Sequence, residues 1–361
     1  MLSPIRKDKF NISSNINPGF YRATFKYDTE SYFLDVVVVQ PSNILPDIKN
    51  VISSTELYET IAEGDIILVG NKNNVRVVLS QRANHNTLLV TEKCDNRCSF
   101  CSQPPNEEDD DWLYVQAGLA IAEFQSDGVV GISGGEPLLN KKKFLNFVKF
   151  VNKFSPRTKL HILTNGRALS DKKFANELSL LSENITLGIP LYSAISRTHD
   201  ELVGSQDAFK QTIAGLINAG NLGIAIEIRF IPTQKNYMDL KFVVDLTARC
   251  FSNIVQISVM NLEPMGWAKN NWLKLYLEPS QYEEELAKSV AIADNSSLDI
   301  VLFNYPLCFL LPSARAKAVK SISDWKNYFP ESCKLCKLKT ECTGFFTSSK
   351  GMFHQSPEPI M

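Results

Sequence analysis

The chain has 361 residues, more than one core usually organises, and is 44% hydrophobic and 21% charged, the balance of a globular protein with two or three units. Its 38 basic and 39 acidic residues leave a net charge of −1, which excludes a chain that grips nucleic acid through its overall charge. No run approaches the ~20 apolar residues of a membrane helix. The first residues, Met1-Leu2-Ser3-Pro4-Ile5-Arg6-Lys7, lead into no apolar stretch of the secretory kind, so the expectation is a cytoplasmic protein with neither nucleic-acid nor membrane partners.

Residues 1–84 read as a β-rich N-terminal domain. Strands are expected over Tyr21 to Tyr27, Tyr32 to Gln40, Asp65 to Val69 and Val75 to Leu79, separated by turns such as Val69-Gly70-Asn71 and Lys72-Asn73-Asn74. Nothing in this segment has catalytic character, and a cap or docking platform is the expected role.

From residue 85 to 295 strand and helix alternate. Thr87 to Thr91 is a strand, followed by a helix over Trp112 to Phe124. Next come Val129 to Ser133 with Lys141 to Phe154, then Leu160 to Thr164 with Asp171 to Leu181. The series continues with Ile185 to Ile189 and Ala208 to Ala219, Ile224 to Ile231 and Asp239 to Phe251, and Ile254 to Met260 with Gln281 to Ala293. Six such units predict an α/β fold: a parallel sheet with right-handed crossovers, curled into a partial (β/α)6 barrel rather than the closed eight-unit form. Functional residues should then sit at the C-terminal ends of the strands. The run Asn106-Glu107-Glu108-Asp109-Asp110-Asp111 reads as a solvated helix start, where acids suit the macrodipole. Residues 296–361 form a third, Cys-rich segment. It opens on one more possible strand, Leu298 to Phe303, and closes on the polar tail Gln355-Ser356-Pro357-Glu358-Pro359.

Eight cysteines fall into two clusters and one outlier. Clustered thiols in a chain without a signal peptide are more often metal ligands than disulfides. Cys250 stands alone on a predicted helix and reads as a small buried apolar residue. Cys94, Cys98 and Cys101 have the spacing C-x3-C-x2-C on the loop leaving the first barrel strand. Three thiolates can hold three corners of a four-iron cluster and leave one iron open to substrate. A zinc site with a distant fourth ligand, or three unrelated thiols, are the alternatives. The second strand ends Ile132-Ser133-Gly134-Gly135-Glu136-Pro137. The glycines permit close backbone approach to a ligand, Glu136 can accept hydrogen bonds from an ammonium group, and Pro137 suits a helix start. A simple turn is the alternative.

The two motifs together resemble the radical S-adenosylmethionine (SAM) superfamily, which pairs C-x3-C-x-aromatic-C with a Gly-Gly-Glu motif. The resemblance implies that Cys94, Cys98 and Cys101 hold a [4Fe–4S] cluster whose open iron is chelated by the SAM amine and carboxylate. It further implies that Gly134, Gly135 and Glu136 contact the amine, with Ser133 and Pro137 beside them, and that Phe100 lies beside the adenine. An electron from the cluster then splits SAM into methionine and a 5′-deoxyadenosyl radical, which removes a hydrogen atom from substrate. Thr164-Asn165-Gly166 ends the third strand where relatives carry a similar turn, making Asn165 a SAM-site candidate. Ile189-Pro190-Leu191-Tyr192-Ser193 ends the fourth. Pro190 offers no donor, so Tyr192 and Ser193 are candidates for the ribose, with packing as the alternative. Glu227 and Arg229 share one side of the fifth strand by the period of two. Either Arg229 lines the SAM site or the two residues simply pair with each other. His199 is expected to be structural.

Cys308, Cys333, Cys336 and Cys342 supply four thiolates, enough for a closed [4Fe–4S] or zinc site. In a radical SAM context the C-x2-C-x5-C run resembles the auxiliary-cluster (twitch/SPASM-like) region of peptide-maturing members, which implies a second, fully protein-ligated [4Fe–4S] cluster. Three further stretches narrow the resemblance: Cys101-Ser102-Gln103-Pro104-Pro105, Phe230 to Tyr237, and Ser321-Ile322-Ser323-Asp324-Trp325-Lys326-Asn327. They are similar to the HxsC-type maturases of the His-Xaa-Ser peptide system. That likeness implies a precursor peptide with His-Xaa-Ser repeats as substrate and a second radical SAM protein, of HxsB type, as partner. A small-molecule radical SAM enzyme and a non-catalytic iron–sulfur scaffold are the other readings.

Overall fold

The computed structural model describes residues 11–12, 16–27, 29–41, 50–70, 74–320, 326–350, 354 and 356–361. Met1 to Lys7, Asn71 to Asn73, Ser321 to Trp325 and Gln355, all invoked above, lie outside the described residues. The chain divides into two compact units. The first comprises residues 1–91, 109–133 and 142–161, and the second residues 92–108, 134–141 and 162–361.

The first unit holds a six-stranded sheet made from β1 (Asn11–Ile12), β2 (Gly19–Thr24), β3 (Val36–Gln40), β4 (Val51–Ser53), β5 (Ile66–Val69) and β6 (Val75–Leu79), in the order β1-β4-β3-β2-β5-β6. β2, β3 and β4 run parallel, and the outer pairs are antiparallel. Val37, Val39, Ile52, Ile67, Val69 and Val75 bury one face of this sheet in a common core. A helix missed by periodicity, α1 (Thr55–Thr60), starts where the Ser54 hydroxyl accepts from the Leu57 amide.

Two strands are shorter than expected, for local reasons. The strand expected over Tyr21 to Tyr27 stops at Thr24, whose hydroxyl accepts from the Lys26 amide and turns the chain. The run from Tyr32 becomes strand only at Val36, because the Tyr32 and Phe33 amides donate to the Glu123 carboxylate instead of to a ladder. Glu123 lies at the end of α2 (Trp112–Phe124) and also pairs with Arg22 at 2.7 Å.

The same unit contains β7 (Asn86–Leu89) and β8 (Val129–Ser133), paired in parallel from Asn86↔Val130 to Leu89↔Ser133. Helix α3 (Lys141–Phe154) buries Phe144, Phe147, Val148 and Val151, the i, i+3, i+4, i+7 stripe that the sequence spells. The acidic run before α2 is not wholly solvated. Asp110 is buried and accepts from the Thr91 hydroxyl at 2.8 Å. A short carboxylate beside a hydroxyl donor is satisfied there without water, which a charge count cannot reveal.

In the second unit the strands follow chain order. β9 (Lys159–Leu163) begins in the first unit and ends in the second. It leads to β10 (Ile185–Pro190), β11 (Ala225–Phe230), β12 (Ile254–Met260), β13 (Ile300–Phe303) and the two-residue β14 (Ala318–Val319), and the sheet order from β9 to β14 is sequential. The pairs from β10 to β14 are all parallel. The connecting helices are α4 (Lys172–Ser179), α5 (Ser196–Val203), α6 (Ala208–Asn221), α7 (Leu240–Cys250), α8 (Gly266–Asn270), α9 (Trp272–Leu275), α10 (Glu283–Asn295) and α11 (Pro312–Arg315). A small antiparallel ribbon, β15 (Asn327–Tyr328) with β16 (Phe345–Phe346), follows.

This is an α/β fold with a parallel sheet, and β7 to β12 with their helices are the six units that the alternation predicts. Cys250 departs from expectation, being exposed rather than buried. The buried stripe of α7 is Leu240, Val243, Val244 and Thr247, and the helix ends at Cys250 with Arg249 and Cys250 both in solvent. Among the described residues no helix is long and apolar enough to cross a membrane.

Candidate functional site

All eight cysteines are free thiols. Cys94, Cys98 and Cys101 lie on the loop that follows β7, within the second unit. The loop is anchored on both sides of Cys98. The Arg97 amide donates to Val203 O at 2.8 Å and the Ser99 amide to Leu202 O at 2.9 Å, at the last turn of α5. Gly204, which follows α5, has φ +62°, and a Cβ there would stand 2.5 Å from Arg97 O. Only glycine lets the loop sit this close. Asn271 Nδ2 donates to Ser99 O at 2.8 Å, and the Trp267 amide to Cys101 O at 2.8 Å.

Arg167 is a locking residue that the sequence reading missed. Its Nη1 donates to Asp95 O (2.9 Å), Asn96 Oδ1 (2.6 Å) and Ser205 Oγ (3.0 Å), and its Nε to Gln211 Oε1 (2.7 Å). It also pairs with the Asp95 carboxylate at 3.2 Å. Asp95 and Asn96 are the residues between Cys94 and Cys98, so one guanidinium holds the first half of the thiol loop. The only signal in the sequence was its place directly after Thr164-Asn165-Gly166. Arg167→Ala is expected to destabilise the loop by about 2–3 kcal/mol, since several charge-assisted bonds are lost together. Iron release to a chelator should quicken at least tenfold by the same arithmetic, and an unchanged release rate would refute the assignment.

Neighbouring thiols raise the pKa of Cys94 and Cys98, but burial is the larger cause. Burial first, then neighbouring negative groups, pushes Cys94 up to about 12 and Cys98 higher still, and burial raises Cys101. Three crowded thiols would stay protonated on their own. A cationic iron cluster is what makes three thiolates stable together. The donor set therefore fits a cluster bound through three of its corners. Among the described residues no three His, Cys, Asp or Glu side chains converge on the position of a single ion.

The Gly134 to Pro137 segment sits against the start of this loop. A Cβ on Gly135 would lie 2.2 Å from Lys93 O, and the Glu136 amide donates to that same oxygen at 2.8 Å. The close approach anticipated for Gly135 is thus to the protein's own backbone. Glu136 is 1% exposed. Its Oε1 accepts from the Leu138 amide (2.8 Å) and the Thr164 hydroxyl (2.5 Å), and its Oε2 from the Asn165 amide (2.6 Å). Burial raises its pKa to about 7 against the pull of those three donors. The carboxylate ties the Gly134 to Pro137 segment to Thr164 and Asn165, both within the second unit. The carbonyls of Gly134 and Gly135, by contrast, have no hydrogen-bond partner among the described residues. Asn165 closes the circuit, with its Nδ2 donating to Asp95 Oδ1 at 2.7 Å.

The remaining candidates divide. Phe100 and Tyr192 pack edge to face at 4.8 Å in a buried cluster with Leu202, Leu262 and Trp272, against which Cys98 is packed. Ser193 donates to the Asp239 carboxylate and accepts from the Ile195 amide. Ser133 is the last residue of β8, its carbonyl bonded to the Val90 amide, and Pro137 follows Glu136 directly. Arg229 Nη1 holds both oxygens of Glu227 at 3.0 and 3.1 Å, and its Nη2 reaches Met260 Sδ at 2.9 Å. The mutual ion pair is therefore present.

His199 is buried and its Nδ1 accepts from the Tyr192 amide at 3.2 Å. Burial lowers its pKa to about 4, whereas the unfolded value is about 6.5. The unfolded chain takes up the proton first, so this stabilisation is complete above pH 6.5 and is lost as pH falls towards 4. Unfolding free energy should drop by about 2 kcal/mol between pH 7 and pH 5 from this group. Denaturant melts at the two pH values should show that drop in the parent chain and a smaller one in His199→Phe. Equal drops would exclude His199 as the cause.

Cys308, Cys333, Cys336 and Cys342 line one small cavity, edged by Phe329, Lys339 and Glu358. Burial, then the neighbouring thiols, pushes Cys308 up to about 12. The Leu307 and Gly344 amides both donate to Cys342 Sγ at 3.4 Å. The Lys337 amide bonds Ile360 O at 2.9 Å and pins the tail that contributes Pro357 to Pro359. Four thiols with N–H donors fit a closed cluster.

Residues 88–239 match the model of the Radical SAM superfamily. Over these residues, fewer than half of its length, the chain is similar to that superfamily. That superfamily implies a [4Fe–4S] cluster and SAM. Over 179 residues the chain is 27% identical to the GTP 3′,8-cyclase of Campylobacter fetus, covering 47% of this chain and 54% of that protein. Over 212 residues it is 25% identical to the antilisterial bacteriocin subtilosin biosynthesis protein AlbA of Bacillus subtilis, covering 55% and 46%. The chain thus spans about half the length of these curated relatives. The crystal structure of Streptococcus suis SuiB bound to S-adenosylmethionine is similar over 60% of this chain and 50% of that one, at 20% identity and a TM-score of 0.48.

Proposed function

We propose that this chain is a radical SAM maturase that oxidises side chains of a ribosomally made precursor peptide, crosslinking them or otherwise removing hydrogen. In this reading Cys94, Cys98 and Cys101 hold the SAM-binding cluster, and Cys308, Cys333, Cys336 and Cys342 hold a second one. The carbonyls of Gly134 and Gly135 accept from the SAM ammonium. When bound, the first cluster and SAM supply a 5′-deoxyadenosyl radical that takes a hydrogen atom from substrate. Glu136, Asn165 and Arg167 hold the loop that carries the cluster, and Phe100 with Tyr192 keeps water from the face of Cys98.

The observation that carries the reading is the second thiol set. An oxidised substrate must lose an electron as well as a hydrogen atom, and four thiols with N–H donors around one cavity suit an electron acceptor. The likeness to a bacteriocin biosynthesis protein supports a peptide as the substrate. The stretches described above favour a His-Xaa-Ser repeat peptide and a partner of the HxsB type. We further propose that residues 1–84, 85–295 and 296–361 act as docking platform, radical SAM barrel and auxiliary-cluster region.

The test is mass spectrometry of a His-Xaa-Ser repeat peptide after anaerobic incubation with SAM and reductant, with and without the partner. Loss of hydrogen pairs that requires this chain is the expected result. An untouched peptide, with 5′-deoxyadenosine still formed, would favour a small-molecule substrate. That second reading has its own support in the likeness to GTP 3′,8-cyclase. Cys336→Ala should lower bound iron by about four atoms per chain and stop peptide modification while 5′-deoxyadenosine still forms. Unchanged modification would remove the second thiol set from the reaction.

A further inference from the structure

The stretch that carries Cys333 and Cys336 has little protein over it. From Glu331 to Glu341 every residue is exposed or half-buried, and Leu335 is 72% exposed. Of the four thiols only Cys342 is buried. Part of the cover comes from further along the chain, where Pro357, Glu358 and Pro359 line the same small cavity as the thiols. Pro357 is buried, Pro359 is half-buried, and Glu358 between them is exposed. An exposed acid between two covered prolines is the pattern of an extended segment lying across a surface with one side down.

This segment is tied on both sides. After the prolines, Ile360 O accepts from the Lys337 amide at 2.9 Å, and Lys337 directly follows Cys336. Before them, the His354 ring stacks on Phe345 at 4.2 Å, and Phe345 lines the four-thiol cavity. The residue types suit the place. The proline ring fixes φ, so ordering it costs little chain entropy. It also carries no N–H that would be left unpaired when covered.

We infer that Ser356 to Ile360 form a strap across the four-thiol site, which keeps water, chelators and small oxidants from the sulfurs. Electrons need no opening, so a covered site still serves as an electron acceptor. Solvent access governs how readily such a centre is attacked and at what potential it is reduced. The inference rests on the proposed second cluster for its role, but the cover itself is a property of the polypeptide.

The test is timed iodoacetamide labelling of the reduced, metal-free full chain, read cysteine by cysteine by mass spectrometry, with the exposed Cys250 as internal reference. The parent is compared with a chain lacking residues 356–361 and with a full-length double variant, Pro357→Gly with Pro359→Gly. Relative to Cys250, Cys333 and Cys336 should label about tenfold faster without the strap, the factor that goes with one backbone bond and one buried ring. The double variant should show a smaller rise at the same two thiols. Cys94, Cys98 and Cys101 should keep their parent rates in both. In the iron-loaded chain, truncation should speed the release of about four iron atoms to a chelator and leave the rest unchanged. Labelling of Cys333 and Cys336 that ignores the truncation would overturn the inference. Where truncation speeds every cysteine alike, the double variant decides, and the lack of a selective rise there overturns it too.

Failure of the strap and failure of the second cluster are distinguishable. A chain whose thiols are selectively uncovered by truncation but which holds only one cluster keeps the strap and loses the second cluster. One that holds two clusters, with labelling and iron release indifferent to the strap, loses the strap alone.

Discussion

In the proposed function, Cys98→Ala is expected to take reductive SAM cleavage to background, a loss of at least about a thousandfold, and to remove about four iron atoms per chain. The argument starts from what surrounds the thiol. Cys98 packs against the buried cluster of Phe100, Tyr192 and Leu202, and burial drives its pKa far up. In the metal-free chain it is a small apolar residue, and trimming it to alanine removes one sulfur from a packed wall, about 1 kcal/mol. Arg97 and Ser99 on either side stay bonded to Val203 and Leu202 through backbone atoms that the substitution does not touch. The fold should survive while the cluster does not, because two remaining thiolates cannot hold the cluster on three corners. Iron and sulfide assay, 5′-deoxyadenosine measurement and a thermal melt together check this. A variant that keeps its iron and still cleaves SAM would remove Cys98 from the site.

Gly135→Ala has a comparably large effect through a different cause. The added Cβ would stand 2.2 Å from Lys93 O and 2.5 Å from Lys93 C, both backbone atoms that cannot rotate away. One of the two strands of chain must move. The bond from the Glu136 amide to Lys93 O is the first to be lost, and with it the registration of Glu136 on Thr164 and Asn165. Overpacking and lost buried hydrogen bonds together should cost about 3 kcal/mol or more. SAM affinity should fall at least tenfold, because the Gly134 and Gly135 carbonyls shift with the segment. Denaturant melts and equilibrium dialysis of SAM read the two effects. A variant within about 1 kcal/mol of the parent that binds SAM normally would show that this approach is not needed.

The contrast between these substitutions follows what each stage of reading could see. The spacing of Cys94, Cys98 and Cys101 is local chemistry. Three thiols this close along the chain can meet on one loop, so the letters name them as a candidate ligand set. The alternation of apolar strands and amphipathic helices from residue 85 to 295 is likewise local, since burial on one face leaves its period in the sequence. It therefore announced the parallel α/β fold and the strand ends on which the motifs sit. Glu136 was legible as a functional position, but its partners were not. Besides the nearby Leu138 amide they are Thr164 and Asn165, 28 and 29 residues on, and nothing in the letters says which distant donors will face a buried carboxylate.

Tertiary structure alone decided the rest. Arg167 reaches back 71 and 72 residues to Asn96 and Asp95, a choice made by the turn that ends β9. Asp110 is charged yet buried because the Thr91 hydroxyl meets it, and Cys250 is apolar in character yet exposed because α7 stops there. Asn261 is one asparagine among many in the sequence, and only packing shows that its side-chain oxygen is buried without a partner among the described residues. Periodicity and ligand spacing are properties of neighbours along the chain, and the sequence by itself determined those. Hydrogen-bond partnership and burial of single polar groups are properties of neighbours in space, fixed only when the sheet, helices and loops have closed around them.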